Sequence, residues 1–254
     1  MKPVLSVVKI GGNVIDSPAE LSNFLSEFAS ISGPKLLVHG GGKIATTVAE
    51  KLGVETKFIE GRRVTSPEMM DVALMVYAGL VNKKIVAELG AKNCPAIGMS
   101  GADGSTVISR KRSPIPVDYG EVGDVDFVDG RLLEKLINDG ITPVFCAVTV
   151  DTEGCLLNTN ADTMAEEIAI GMGEFFDVRL FYCFEKKGVM NNENVIPQID
   201  SDMFEKLKAE GIVAAGMIPK ISNALRAAKS PGVIDVIIKS SSDLLVGSGT
   251  VIVG

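Results

Sequence analysis

Twice within its first 53 residues the chain repeats one unit: a β-branched run, a glycine turn, then a helical pattern. Val4 to Ile10 ends in Gly11-Gly12, and a helical pattern runs from Asp16-Ser17-Pro18 to Ala29, with Pro18 at a first-turn position. Lys35 to Val38 ends in His39-Gly40-Gly41-Gly42, and Ile44 to Leu52 reads as the next helix, closed by Gly53. Parallel strands need a crossover and a helix supplies it, so this rhythm specifies βαβ units and a parallel sheet. The core must be aliphatic, because aromatic residues are 5% of the 254 and Trp is absent, while hydrophobic residues reach 46%. Such usage suits buried parallel strands covered by helices.

Further along, apolar residues at helical spacing predict a helix from Pro67 to Leu89, and Ala96 to Met99 reads as a strand. Arg110 to Asp129 is polar with Gly and Pro and reads as a β-hairpin excursion. Leu132 to Asp139 and Asn160 to Gly171 read as helices, and Thr142 to Val150 as one strand. Strands are then expected at Val178 to Phe184, Val233 to Lys239 and Thr250 to Val253, with helices at Ser201 to Glu210 and Pro219 to Lys229. The fold class expected is α/β, a three-layer α/β/α sandwich with a mainly parallel central sheet. Two lobes are expected to share that sheet, 1–173 and 174–254, with the boundary near Gly171 to Gly173.

The net charge of −7 argues against DNA or RNA as a partner, since an acidic chain gains nothing from counterion release. An anionic substrate would have to be held locally, by Lys, Arg and backbone N–H groups working against the global field. Cys94, Cys146, Cys155 and Cys183 form no C-x-x-C pair, so reduced thiols and a cytoplasmic location are expected. There is no apolar run of about 18 residues and no signal-peptide pattern, so no membrane partner is expected.

Several residues stand out against this frame. Lys9 ends an apolar strand, where a lysine is costly to bury unless an anion meets it; the alternative is a lysine at the edge of the core that snorkels to solvent. Lys220 follows Gly216-Met217-Ile218-Pro219 at a helix start, where positive charge opposes the macrodipole. In Asn158-Thr159-Asn160-Ala161-Asp162, two amides and a carboxylate alternate and would project to one side of an extended segment. Amides can hold both the carboxylate and the amide of an amino-acid derivative, and Asp162 can hold lysines in place. A helix cap accounts for the same residues. Arg62-Arg63 is either a carboxylate clamp or a solvated surface pair.

Phosphate motifs divide the options. Gly42-Lys43-Ile44 is not a P-loop ending, because no Ser or Thr follows the lysine. Gly40-x-Gly42-x-x-Ala45 matches a dinucleotide pattern with Glu60 near the acidic position, which keeps a nicotinamide dehydrogenase open but gives Lys220 and Asp162 no role. His39 is the single histidine, so a Ser-His-Asp triad elsewhere is excluded, and His39 itself reads as a satisfied local hydrogen bonder.

Lys9-Ile10-Gly11-Gly12, His39-Gly40-Gly41-Gly42, Gly61-Arg62-Arg63-Val64-Thr65, Asn158-x-Asn160-Ala161-Asp162 and Gly216-Met217-x-x-Lys220 occur in this order across the chain. In that series the sequence resembles the amino acid kinase family, in particular the branch that phosphorylates N-acetylglutamate. The resemblance implies the amino acid kinase fold, ATP and Mg2+ as co-substrate, and an acyl-phosphate product of the kind used in arginine biosynthesis. It implies that Lys9 and Lys220 stabilise charge on the phosphoryl group and that Asp162 organises them. Backbone N–H groups of Gly11, Gly12, Gly41 and Gly42 would bind the γ-phosphoryl and the substrate carboxylate. Arg63, Asn158 and Asn160 would hold the α-carboxylate and amide of the N-acylglutamate, while Glu185 and Met217 would border the nucleotide.

A carboxylate nucleophile is already ionised near pH 7, so such chemistry needs no general base. Two departures from the family pattern matter. Phe184-Glu185-Lys186-Lys187-Gly188 replaces a Thr/Ser-Asp-x-x-Gly turn, and Arg62 stands where an apolar residue is usual. Arg62 could meet a second carboxylate, making the acyl group succinyl instead of acetyl. Because the chain starts directly on its first strand, without the N-terminal helix of arginine-inhibited members, the resemblance implies an arginine-insensitive homodimer. Another kinase of the family and a non-catalytic nucleotide or amino-acid sensor remain the alternatives.

Overall fold

The computed structural model describes residues 2–59, 61–213, 216–247 and 249–254. The first repeat is β1 (Val4–Ile10), a one-turn helix α1 (Gly12–Asp16) and α2 (Pro18–Ser30); the second is β2 (Lys35–His39) and α3 (Ile44–Lys51). Ser17 caps α2 by accepting from the N–H of Glu20, and Pro18 opens the helix where no N–H is needed. A hairpin of β3 (Lys57–Ile59) and β4 (Arg62–Val64) follows. The long apolar pattern then forms α4 (Pro67–Ala73), a π-helical stretch from Leu74 to Val81, and α5 (Asn82–Ala91).

Next come β5 (Ala96–Met99), the antiparallel pair β6 (Val107–Lys111) and β7 (Gly123–Val128), and α6 (Gly130–Asn138). They are followed by β8 (Thr142–Cys146), β9 (Val148–Val150), β10 (Leu156–Asn158) and α7 (Ala161–Met172). The remainder comprises β11 (Asp177–Phe184), a small hairpin of β12 (Met190–Asn191) and β13 (Asn194–Val195), and β14 (Gln198–Ile199). Helices α8 (Ser201–Ala209) and α9 (Ile218–Ala228) precede β15 (Val233–Ser240) and β16 (Thr250–Ile252).

Eight strands form the central sheet in the order β14-β16-β15-β11-β1-β2-β8-β5. It is parallel from β15 to β5, while β16 runs antiparallel to β15 and carries β14 with it. Alternation along β1 sorts the two faces. Val7 joins Leu180, Val236, Ile168 of α7 and Ile221 of α9 on one side. Val8 joins Leu37, Val144, Phe24 of α2 and Ile85 of α5 on the other. Helices therefore cover both faces, giving the expected three layers and the mainly parallel sheet.

Three local expectations need correction. The run from Thr142 to Val150 is not one strand. It breaks at Ala147, and its second part joins a separate sheet of order β10-β9-β6-β7, because Gly101 N–H donates to Val148 O at 2.7 Å and Thr159 N–H to Ala147 O at 3.1 Å. The expected hairpin is real but belongs to that four-stranded sheet. The helix from Pro67 to Leu89 is wound more widely between Leu74 and Val81, just before Asn82 turns inward to donate to Val144 O at 2.8 Å.

Since Ile10 pairs with His39 and with Cys183, the carboxyl ends of β1, β2 and β11 lie side by side. Ligands of open parallel sheets sit at that edge.

Candidate active site

The two glycine turns meet at this edge. A Cβ on Gly12 would stand 3.1 Å from Gly42 Cα, and one on Gly41 would fall 1.7 Å from Cε1 of Tyr77, inside the ring's contact distance. Gly42 has φ +57°, where a side chain is strained. Asp16, at the end of α1, clamps the second turn to the first by accepting the Lys43 N–H at 2.9 and 3.1 Å. The N–H groups of Gly41 and Gly42 meet no acceptor among the described residues. Gly12 N–H is a first-turn helix donor with no intrahelical partner. Gly11 differs from expectation: its N–H donates to Cys183 O at 2.9 Å and so completes the sheet, leaving nothing for a phosphate.

Beside the turns, two lysines share one carboxylate. Lys9 Nζ lies 2.6 Å from Asp162 Oδ1, and Lys220 Nζ reaches Asp162 Oδ2. Lys9 comes from β1, Asp162 from the first turn of α7 and Lys220 from the first turn of α9, so residues distant in sequence converge here. Tyr182 Oη donates to the Asp162 carbonyl at 3.2 Å and anchors that turn. Lys9 and Asp162 are each 7% exposed, so the Lys9 ammonium does not snorkel. Burial alone would raise the Asp162 carboxyl, but Lys9 and Lys220 outweigh it and hold it at about 2. Burial lowers Lys9 below the ordinary lysine value, with Asp162 pulling the other way. Two cations on one anion leave a net positive cluster in an acidic chain, which suits an anionic ligand.

An adjoining cavity of about 210 Å³ is lined by Gly40, Arg62, Arg63, Tyr77, Arg112 and Asn158, among others. Arg63 donates to Thr46 Oγ1 at 2.9 Å and lies 4.7 Å over the Phe58 ring, which fixes its guanidinium at the wall. Asn158 is buried and donates to Thr65 Oγ1 at 2.9 Å. A wider cleft of about 790 Å³ follows, bordered by Arg62, Tyr119, Asn160, Asp162, Gly216 and Lys220. Arg62 and Asn160 border both spaces, so the cluster and the cavity form one continuous site.

The alternating geometry expected for Asn158, Asn160 and Asp162 does not hold. Asn158 ends β10, Asn160 is the N-cap of α7 and accepts the N–H groups of Asp162 (2.8 Å) and Thr163 (3.2 Å), and Asp162 is helical. The backbone turns between them because a cap must leave the strand conformation for the helix. Asn160 is thus a cap with its side chain still at the site. Glu185 is exposed and accepts from Asn13 Nδ2 beside the first glycine turn. Met217 is the N-cap of α9, half-buried against the core. Glu60 lies outside the described residues.

His39 is fully buried between Asn82 Nδ2, 3.0 Å from Nε2, and Gly40 O, 2.8 Å from Nδ1. Burial pushes its imidazole down to about 4, so it is neutral and structural, as read from the sequence. Two wall residues were not anticipated. Arg112 pairs with Asp124 (Nε to Oδ1 3.1 Å) and lies 5.5 Å over the Tyr119 ring. Both come from the polar segment between β6 and β7, where no local pattern singles them out; the bridge of Thr65 to Gly120 brings that segment to the cavity.

The amino acid kinase family model matches residues 5–240, and the chain belongs to that family. Its relatives include the acetylglutamate kinase of Bacteroides fragilis, 48% identical over 98% of this chain and 97% of the relative. The acetylglutamate kinase of Methanopyrus kandleri is 37% identical over 98% of this chain and 100% of its own. Among solved structures, N-acetylglutamate synthase from Neisseria gonorrhoeae, complexed with coenzyme A and N-acetyl-glutamate, superposes with a TM-score of 0.83 at 18% identity. That match covers 99% of this chain and 59% of that one. Carbamate kinase from Giardia lamblia bound to AMP-PNP gives 0.69 at 18% identity, over 99% and 98% of the two chains. These two likenesses show the fold alone. The dehydrogenase reading of the second glycine turn is set aside by the family.

Proposed function

We propose that this chain is an ATP-dependent kinase that phosphorylates the γ-carboxylate of N-acetyl-L-glutamate, the step that activates that carboxylate in arginine biosynthesis. The observation that carries the reading is the convergence of Lys9 and Lys220 on Asp162 beside two glycine turns. The identity to acetylglutamate kinases over nearly the whole chain supports it.

In this reading the acceptor carboxylate enters ionised, so no general base is required, in keeping with a neutral, buried His39. Phosphoryl transfer then depends on positioning and charge neutralisation. Lys9 and Lys220 meet the oxygens of the phosphoryl group, and Asp162 keeps the two ammonium groups together against their mutual repulsion. The N–H groups of Gly12, Gly41 and Gly42 bind the phosphoryl and the acceptor carboxylate; Gly11 shapes its turn only. Arg63 takes the α-carboxylate, and Asn158 and Asn160 the amide, in the cavity whose wall they form. Glu185 and Met217 border the nucleotide. Mg2+ would be bound mainly through ATP phosphates and water, since both Asp162 oxygens already face lysines, and it would supply further charge neutralisation. Residues 1–173 carry the acyl amino acid and 174–254 the nucleotide.

Arg62 favours a second reading of the acyl group. It borders both spaces and has no ion-pair partner among the described residues, which suits an acyl chain ending in a carboxylate, such as succinyl. We also read the chain as a cytoplasmic homodimer. Met75 (53% exposed), Leu80 (41%) and Ile97 (40%, on the edge strand β5) offer apolar surface for a second copy. No helix among the described residues is long and apolar enough to cross a membrane.

The test is ATP-dependent acyl-phosphate formation trapped with hydroxylamine, run with N-acetyl- and N-succinyl-L-glutamate side by side. Turnover with either supports the kinase, and the preferred substrate decides the acyl group. Folded protein that turns over neither would leave another family substrate or a sensor. Light scattering tests the dimer.

A further inference from the structure

Below the lysine cluster, α7 and α9 are joined by two more side-chain bridges. Asn223 Nδ2 donates to Thr163 Oγ1 at 3.1 Å, and Arg226 pairs through Nε with Glu166 and through Nη2 with Glu167. Residue numbers rise together on the two helices, from Asp162–Lys220 through Thr163–Asn223 to Glu166–Arg226. The helices therefore run in the same direction, with Lys220 near the shared amino-terminal end and Arg226 about 9 Å further along α9.

The lower bridge is costly for a fold that needed only to hold two helices together. The Glu166 side chain is 1% exposed, while its ion-pair partner Arg226 is 53% exposed, so the cost falls on the buried carboxylate. Desolvating a carboxylate is unfavourable, and apolar residues of similar volume commonly pack as well or better. Burial lifts the Glu166 carboxyl to about 7 although Arg226 pulls it down. The guanidinium reaches both acids, through Nε to Glu166 and through Nη2 to Glu167, so it is held from two directions. What an ion pair provides and an apolar contact does not is direction: a fork held by two carboxylates fixes both the height and the rotation of the helix that bears it.

Lys220 needs such support. It lies in the first turn of α9, where the macrodipole repels it, and it shares its single carboxylate with a second ammonium. Both effects push Lys220 away from Asp162.

We infer that Arg226, held by Glu166 and Glu167, is a positioning residue that fixes α9 on α7 and keeps Lys220 on Asp162, aimed at the group in transfer. The inference rests on the proposed kinase reading, in which Lys220 meets the phosphoryl group.

The test compares wild type, K220A, K220R, R226Q, R226K and the double variant K220R/R226Q, by acyl-phosphate formation from ATP and the preferred N-acylglutamate. Circular dichroism and thermal melts confirm folding at the assay temperature. R226Q is expected to lower kcat about tenfold with both KM values changed less than about twofold. R226K, a single point charge instead of a fork, is expected to lose about threefold. In the K220R background, where the lysine is already displaced, R226Q should cost less than about twofold more. Wild-type kcat in R226Q, or the full loss repeated in the double variant, overturns the inference. Should R226Q not fold, R226K decides: about threefold loss of kcat at unchanged KM supports it, and wild-type kcat overturns it. An inactive wild type removes the kinase reading and this inference with it, whereas a fully active K220A leaves the kinase standing and removes the role of Lys220, and the inference with that role. An active wild type and an inactive K220A beside an unimpaired R226Q remove the inference alone.

Discussion

Gly12 and Gly42 approach so closely that a Cβ on Gly12 would stand 3.1 Å from the other's Cα, although thirty residues of chain separate them. The contact joins the turns that follow β1 and β2 into one surface of backbone N–H groups. Gly12→Ala should therefore hurt function more than stability. Alanine is better than glycine in a helix by about 1 kcal/mol, which offsets the small shift asked of Gly42. The melting temperature is expected to change little while kcat/KM for ATP falls about tenfold. Unchanged ATP kinetics in a folded Gly12→Ala protein would remove this turn from the phosphate site.

Gly41 is constrained differently. Its Cβ would overlap Tyr77, a ring that is 7% exposed and cannot swing out freely. Gly41→Ala is expected to cost about 1–3 kcal/mol by overpacking. In a double-mutant cycle with Tyr77→Ala the two losses should be less than additive, because the smaller side chain vacates the space. Strict additivity in urea unfolding would contradict the overlap.

For the lysine cluster, Lys220→Ala is expected to lower kcat by about 100-fold or more, with less effect on KM for the acyl amino acid. Lys9→Ala should behave alike. Steady-state kinetics on both variants checks this, and a loss confined to KM would point to binding alone.

Acid stability carries the signature of Asp162. Its carboxyl is held at about 2 in the folded protein, against about 3.9 in the unfolded chain. A depressed folded value means that its contribution is fully present above about pH 4 and is lost as pH falls from there towards 2. Asp162→Asn lacks this contribution throughout. The stability gap between wild type and Asp162→Asn, measured by urea unfolding, should therefore shrink as pH falls from about 4 to about 2. A constant gap would be the contrary result.

His39 predicts a silent window. With its imidazole pushed down to about 4 by burial, kcat/KM should show no imidazole inflection between about pH 5.5 and 7.5. An inflection there that vanishes in His39→Asn would give the ring a catalytic role it lacks in this geometry.

The parts of the site that could be read from the chain were those whose chemistry is local. Gly11-Gly12 and Gly40-Gly41-Gly42 are visible because adjacent glycines after an apolar run mark a turn where backbone can approach closely. Lys9 is visible because a lysine in an apolar run is anomalous before any partner is known. Arg112, Glu166 and Arg226 carry no such mark. Each is an ordinary charge in a polar segment or on a helix, and each gains meaning only from Asp124, Tyr119 or the opposite helix.

By itself, the sequence determined the alternation of strands and helices, the mainly parallel three-layer fold and the identities of the charged groups, because hydrophobic period, glycine turns and residue chemistry are local properties. Tertiary structure alone decided that Thr142 to Val150 serves two sheets and that Gly11 spends its N–H on Cys183. It also decided that Lys9, Asp162 and Lys220 meet at one point. Those outcomes depend on which backbone groups and which helices come to lie side by side, and hydrogen bonds and ion pairs between distant segments exist only once the sheet has put its strands in order.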